Sequence, residues 1–281
     1  MDNDTLLTRM WGLRKPRRFA SVLLRRLRLS HLFTIRTSGI RLRFFPAVWS
    51  NLLWEEPDYF RRDTELLRRW LRPGDVLLDC GANVGLLAIV GARQVGSGGR
   101  VWAVEAHPRT FRFLTANVAL NEAQNITLIH AAVGEKEGSV LFSDQETDDG
   151  NHIVSHGSDI AVAMKPLTAL VPAGIAVRLL KLDVEGYELK VLEGAEPLLD
   201  STEAIYFESS DVLFARYGYS CGDLFAFIRA KDFSIYRMEE NETMRHLPRE
   251  YVSRQIENLI ALRNVDEFAR ATGCSVAAES G

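Results

Sequence analysis

The chain is poor in cysteine. Cys80, Cys221 and Cys274 are its only three, they stand far apart, and no C-x-x-C spacing links them. That excludes a disulfide framework and a thiolate zinc site, and it fits a reducing compartment. No apolar run approaches the roughly 20 residues that a membrane-spanning helix needs. The opening stretch, MDNDTLLTRMWGLRKPRR, lacks the apolar core and small-residue cleavage site of a secretory signal, so a cytoplasmic location is expected. Internal repeats and low-complexity linkers are missing too. There is no aromatic–basic interleaving or zinc-finger spacing, and no nucleic-acid partner is expected. What is present is 281 residues, 47% hydrophobic and 25% charged, enough to build the full core of one large α/β domain.

The net charge of −3 hides an asymmetry. Residues 1–45 hold eleven basic side chains against Asp2 and Asp4, a net +9, and the remainder holds 23 basic and 35 acidic, a net −12. Leu23, Leu24 and Leu27, with Phe19 or Val22, recur at helical spacing beside arginines, as in interfacial helices. The expected role is a surface helix packed on the domain, with peripheral membrane contact as the alternative. Residues 1–45 are therefore predicted as a basic helical N-terminal extension with a short hairpin (Thr34–Phe44, turning at Ser38-Gly39). Residues 46–270 are predicted as the catalytic domain, and 271–281 as a disordered tail.

Beyond a helix expected over 57–71, which carries Tyr59, Leu66, Leu67 and Trp70 at helical spacing, strands and helices alternate. Strands are predicted at Val76–Asp79, Arg100–Glu105, Ile126–Ala132, Ser139–Phe142, Val177–Leu182, Ala204–Phe207, Phe233–Tyr236 and Asn258–Ala261. Helices are predicted at Leu86–Gln94, Pro108–Leu120, Gly186–Leu199 and Cys221–Ala230, and residues 144–158 read as a polar lid loop. This alternation predicts an α/β fold with a doubly wound, mainly parallel sheet.

Asp79-Cys80-Gly81-Ala82-Asn83-Val84-Gly85 joins the first strand of this series to its helix, the usual ligand floor of an open α/β sheet. Gly81 and Gly85 permit tight bending and close approach of a ligand. Asp79 stands where a carboxylate can accept from a ligand amine or from the loop. Glu105, twenty residues past Gly85, ends the second strand, where an acid can take both hydroxyls of a ribose. A dinucleotide fingerprint would need G-x-G-x-x-G around a pyrophosphate, which an acid so close would repel. A cationic sulfonium would tolerate that acid, so the spacing favours S-adenosylmethionine over a nicotinamide. The bland alternative is a tight turn with Asp79 as a helix cap.

A second signature, Lys181-Leu182-Asp183-Val184-Glu185-Gly186-Tyr187-Glu188, puts Asp183 and Glu185 just past a strand end, facing the same crevice. They are read as orienting a ligand amine, holding a metal or accepting a proton, or, for Glu185, as a helix cap. Together, D-C-G-A-N-V-G (79–85), V-E-A-H-P (104–108), N-V-A-L-N (117–121), A-A-V-G (131–134) and K-L-D-V-E-G-Y-E with L-E-G-A (181–195) resemble the FkbM family of methyltransferases. The resemblance implies a Rossmann-like, seven-stranded methyltransferase sheet with its last strand antiparallel, and S-adenosylmethionine as methyl donor. It also implies a small-molecule or glycan hydroxyl as acceptor. Carried over, it puts Asp79, Gly81, Asn83 and Gly85 at the methionine end and Glu105 on the ribose. Ala106, His107, Ala132 and Val133 fall near the adenine, and Asp183 beside the sulfonium. Lys165–Leu170 departs from the family's T-L-D-x-L pattern by lacking its Asp.

Candidate general bases are Asp183, His152, His156 and Glu208, the two histidines lying in the lid loop. Asp183, Glu185 and Glu208 have the chemistry to share a magnesium, but nothing in their spacing requires a metal and none is expected. Phe207, Phe214, Tyr217 and Tyr219 are read as acceptor-pocket candidates, with Phe207 leaning to the core. Two other classes compete: a catalytically silent adapter, against which Asp79, Glu105 and Asp183 argue, and a nicotinamide oxidoreductase, which the glycine spacing disfavours.

Overall fold

The computed structural model describes residues 16–144, 150–157 and 160–277. The first fifteen residues, the lid stretch 145–149, residues 158–159 and the last four residues lie outside that range. The chain begins with α1 (Pro16–Arg26) and the hairpin β1 (Thr34–Thr37) and β2 (Ile40–Arg43). Ser38 and Gly39 both have positive φ, 47° and 73°, which is the turn chemistry that closes a two-residue hairpin. Arg41 and Arg43 donate their backbone N–H groups to Asn121 and Asn117, so the hairpin is stitched to the domain. Helices α2 (Val48–Glu55) and α3 (Arg61–Trp70) follow. α3 starts at Arg61, and Tyr59 precedes it, half exposed rather than part of its apolar stripe.

The alternating part runs β3 (Val76–Cys80), α4 (Leu86–Val95), β4 (Arg100–Glu105), α5 (Pro108–Leu120) and β5 (Ile126–His130). A block of four strands follows: β6 (Ala132–Val133), β7 (Gly138–Phe142), β8 (Ile153–Val154) and β9 (Ile160–Lys165). The series resumes with β10 (Leu179–Leu182), α6 (Glu188–Gly194), α7 (Glu196–Leu199), β11 (Ala204–Ser209), α8 (Asp211–Ala215) and α9 (Cys221–Ala230). It ends with β12 (Ser234–Met238), β13 (Thr243–His246), β14 (Glu257–Leu262), α10 (Val265–Thr272) and β15 (Ser275–Val276).

The main sheet has the order β15-β13-β12-β14-β11-β10-β3-β4-β5. From β11 to β5 every pairing is parallel, and β14 inserts antiparallel between β11 and β12. This is the expected doubly wound methyltransferase sheet, widened from seven strands to nine by β13 and β15. Of the expected tail 271–281, residues 271–276 include the end of α10 and β15, and the last four residues lie outside the described range. Successive residues Leu77 and Leu78 enter opposite apolar clusters, so helices must cover both faces.

Two expected elements break. Ile126–Ala132 does not form one strand: β5 stops at His130, and Ala132–Val133 turn away to pair with β9 in a second, four-stranded sheet. Gly186–Leu199 is not one helix: Gly186 has φ +98°, and Pro197 in the first turn of α7 has no N–H with which to continue the ladder of α6.

Candidate active site

The loop after β3 is shaped by close approach. Gly81 has φ +75°, and a Cβ there would lie 1.8 Å from the carbonyl oxygen of Asp183, so the strand ends of β3 and β10 can meet only over a glycine. Asn83 adopts φ +48°, an unusual left-handed conformation for a residue with a side chain. Its N–H donates to Glu105 Oε2 at 3.0 Å, and the N–H of His107 donates to Glu105 Oε1 at 2.8 Å. The Glu105 carboxylate is therefore fixed by two backbone groups, with lone pairs left over. Burial pushes its pKa up to about 7 despite those two bonds.

Glu105 sits in the wall of a cleft of about 670 Å³. Gly81, Asn83, Glu105, Ala106, His107, Ala132, Val133 and Asp183, all named from the sequence, line this one cleft. Burial and the nearby Arg109 lower the pKa of the His107 ring, which keeps it neutral. Two expected residues lie behind the wall. Gly85 starts α4 at φ +91°, and a Cβ there would meet Leu114 at 2.7 Å, so its role is packing. Asp79 is 1% exposed and lies beneath the loop, 3.2 Å from Lys181 Nζ, rather than in the cleft.

Lys181 is the residue that sequence reasoning passed over as a strand position. Its ammonium lies 3.2 Å from Asp79 and 3.3 Å from Asp183, and it donates to the Gly81 carbonyl at 2.7 Å. Burial works against this charge, but Asp79 and Asp183 together outweigh it and raise the Lys181 pKa. The three groups form a knot that ties β3, β10 and the loop. Phe142, Asn151, Ile153 and Tyr187 complete the cleft, and Trp49 reaches it from α2. Most of these come from the four-strand block and the N-terminal helices, which no local motif marks. Glu185, at φ +57°, accepts from the Gly150 N–H at 3.0 Å, whereas the helix-entry bond from Val184 N–H goes to Glu188.

A second, wider hollow of about 1350 Å³ adjoins the first and shares Trp49, Asp183 and Glu185 with it. Asp63, Lys181, Tyr206, Glu208 and Asn258 line it, with Tyr59 and Phe60 at the side. Trp49 and Phe60 stack with ring centres 4.2 Å apart. Tyr206 donates its hydroxyl to Asp63. Burial, then Asp183, Glu185 and Glu188, push the Glu208 pKa up to about 9, so at neutral pH this carboxyl holds its proton.

The loop histidines lie elsewhere. His152 falls between Asn151 and Ile153, which do line the cleft, and points its Nδ1 to the Gly150 carbonyl at 2.7 Å, outside both hollows. His156 is exposed and pairs with Ser155. The tyrosines expected in an acceptor pocket support the floor instead: Tyr219 donates to Gly186 and Tyr217 to Ile153. Phe214 and Phe207 are buried in the core. Among the described residues no three His, Cys, Asp or Glu are grouped to hold a metal ion.

The chain is 28% identical over 162 residues to the hexuronic acid methyltransferase AglP of Haloferax volcanii, covering 56% of this chain. That match spans 65% of the relative's length, just under two thirds. Among solved structures it is similar to an S-adenosylmethionine-dependent methyltransferase from Aquifex aeolicus at 12% identity and a TM-score of 0.44, covering 79% of this chain and 100% of that one. It is also similar to Aeropyrum pernix fibrillarin with bound S-adenosylmethionine, at 15% identity and a TM-score of 0.41, covering 72% of this chain and 74% of that one. The methyltransferase FkbM domain matches residues 79–235, from the end of β3 into β12, and takes in every named cleft residue but Trp49. The chain belongs to the FkbM family of S-adenosylmethionine-dependent methyltransferases.

Proposed function

We propose that the protein transfers a methyl group to a hydroxyl oxygen of a sugar or comparable polyol by direct in-line displacement. The observation that carries this is the position of Asp183, in the wall of both hollows and 23% exposed. A donor held in the cleft and an acceptor held in the hollow meet at that carboxylate. When bound, S-adenosylmethionine supplies the methyl group from a sulfonium. The cleft suits it: Glu105 offers both oxygens to a ribose, while Ala106, neutral His107, Val133 and Phe142 make an apolar slot for a base. Gly81 and Asn83 bring bare backbone close to the methionine end.

The rest of the work belongs to this chain's own side chains. Holding the acceptor about 3 Å from the methyl carbon supplies roughly 7–11 kcal/mol of the barrier. Asp183, fixed by Lys181, takes the hydroxyl proton. Glu208, protonated, donates a hydrogen bond that orients the acceptor. The stacked Trp49–Phe60 pair offers an apolar face for a sugar ring. The named relative acts on a hexuronic acid, which supports a glycan or small-molecule acceptor here. The three free cysteines are all buried, in keeping with a cytoplasmic location.

The test is Asp183→Asn with labelled donor and a panel of neutral, amino and uronic hexosides. We expect turnover to fall about 10²- to 10⁴-fold, the usual contribution of a general base. Affinity for S-adenosylhomocysteine should change by only a few fold. Unchanged turnover removes Asp183 as the base, and a panel in which no hydroxyl is methylated removes the acceptor class.

A further inference from the structure

We propose that α1 and the turn that follows it dock this protein onto an anionic lipid surface. Helix α1 turns Ser21 and Leu24 toward the domain and leaves Phe19, Val22 and Leu23 exposed. Ser21 is 1% exposed, while Phe19 is 67%, Leu27 56% and Leu23 46% exposed. Of the twelve exposed large hydrophobic residues among those described, seven lie between Phe19 and Phe33, and helical spacing puts Phe19, Val22 and Leu23 on one face of α1. Scattered single side chains would need no explanation, but a contiguous patch does.

The helix is held in this orientation. Trp54 Nε1 donates to the Arg17 carbonyl at 2.8 Å, Ser21 Oγ donates to the Arg18 carbonyl at 2.8 Å, and Leu24 rests on the core. The charge around the patch has one sign. Between Asp4 and Glu55 the sequence has no acidic residue, and Arg17, Arg18, Arg25, Arg26 and Arg28 surround the exposed apolar side chains. A nucleic acid would reward the arginines but not the phenylalanines and leucines between them. The lipid–water interface rewards both, apolar side chains sinking to the acyl boundary while arginines meet phosphates. No helix among the described residues is long and apolar enough to cross a membrane, so the contact is in-plane. Because α1 rests on α2, the helix that carries Trp49 into both hollows, lipid contact and acceptor site are joined through one element.

The experiment is flotation of the full chain with vesicles of phosphatidylcholine alone or doped with phosphatidylglycerol. Apparent affinity should be about tenfold or more higher for the anionic vesicles, and it should weaken with added salt. Leu23→Asp with Leu27→Asp should abolish flotation, and Arg25→Gln with Arg26→Gln should reduce it. Both pairs are exposed, so the thermal shift given by S-adenosylhomocysteine should persist in each as the control for folding. Equal recovery with and without vesicles overturns the proposal. So does binding to a short RNA duplex that survives Leu23→Asp, or a dimer at high concentration that Leu23→Asp dissolves while vesicles bind neither form.

Discussion

If Glu105 grips a ribose, cofactor affinity must depend on pH with a break near 7. In the ligand-free protein burial holds its pKa at about 7. Accepting two ribose hydroxyls needs the ionised form, which those donors stabilise, so the bound-state pKa lies lower. Above pH 7 no proton need leave and affinity is level. Below it, each pH unit costs about 1.4 kcal/mol to expel the proton, a tenfold rise in Kd. Calorimetry with S-adenosylhomocysteine should therefore show roughly tenfold weaker binding at about pH 6 than at about pH 8. It should also show a binding heat that varies with buffer ionisation only on the acid side. Lys181 on β10 and Asp183 just past its end act on Glu105 with opposite signs, and His107 lies beside it, so His107→Asn serves as the control for the neighbouring imidazole. Glu105→Gln removes the titration. It should flatten the profile and weaken binding at pH 8 by about 2–4 kcal/mol, the loss of charge assistance from two hydrogen bonds. A profile flat in the wild type, or one whose slope survives in Glu105→Gln, refutes the ribose assignment.

Two further substitutions probe the ground beneath the site. Lys181→Met strips Asp79, 1% exposed, of its ion partner and should destabilise the fold by about 3–5 kcal/mol in urea, with Asp79→Asn in the same background recovering part of it. A loss under about 1 kcal/mol would show that the knot carries no load. Glu208→Gln should alter the pH dependence of stability in a defined direction. Its folded pKa of about 9 exceeds its ordinary 4.5, so its contribution is fully present below the lower value and is lost as pH rises through the upper. The melting temperature of the wild type should fall between about pH 4.5 and about pH 9 and that of the variant should fall less across the same window; equal slopes would remove Glu208 as a proton holder.

The strand–helix alternation, the glycine loop and the acid ending β4 were legible because each rests on a local rule: period, turn chemistry, or a carboxylate at a strand end. Eight cleft residues follow from those rules and the family motifs. The misplacements share a cause in tertiary packing. Asp79 looked ligand-facing because nothing in the sequence shows that Lys181 lies beside it on the neighbouring strand and pairs with it. His152 looked like a base because nothing in a polar loop shows which of its side chains turn inward, and it is Asn151 and Ile153, not His152, that line the cleft. Trp49 and Asp63 were invisible as site residues because they reach the hollow from helices outside the alternating series.

If the acceptor binds in the hollow as proposed, the charge there disfavours a carboxylate-bearing sugar. Asp63, Asp183, Glu185 and Glu208 surround a single ammonium, Lys181, already shared between Asp79 and Asp183. Burial, together with Asp183, Glu185 and Glu188, is what keeps Glu208 protonated. A uronate carboxylate entering here would add a like charge where the described residues lining the hollow offer no cation besides Lys181, whereas a neutral hydroxyl would meet one donor, Glu208, and one acceptor, Asp183. The same field helps draw off the hydroxyl proton, since a cation leaving toward carboxylates is stabilised at every step. Relatives on one sheet can therefore share the donor cleft and part company in the hollow, because acceptor choice is set by side chains that the fold does not dictate.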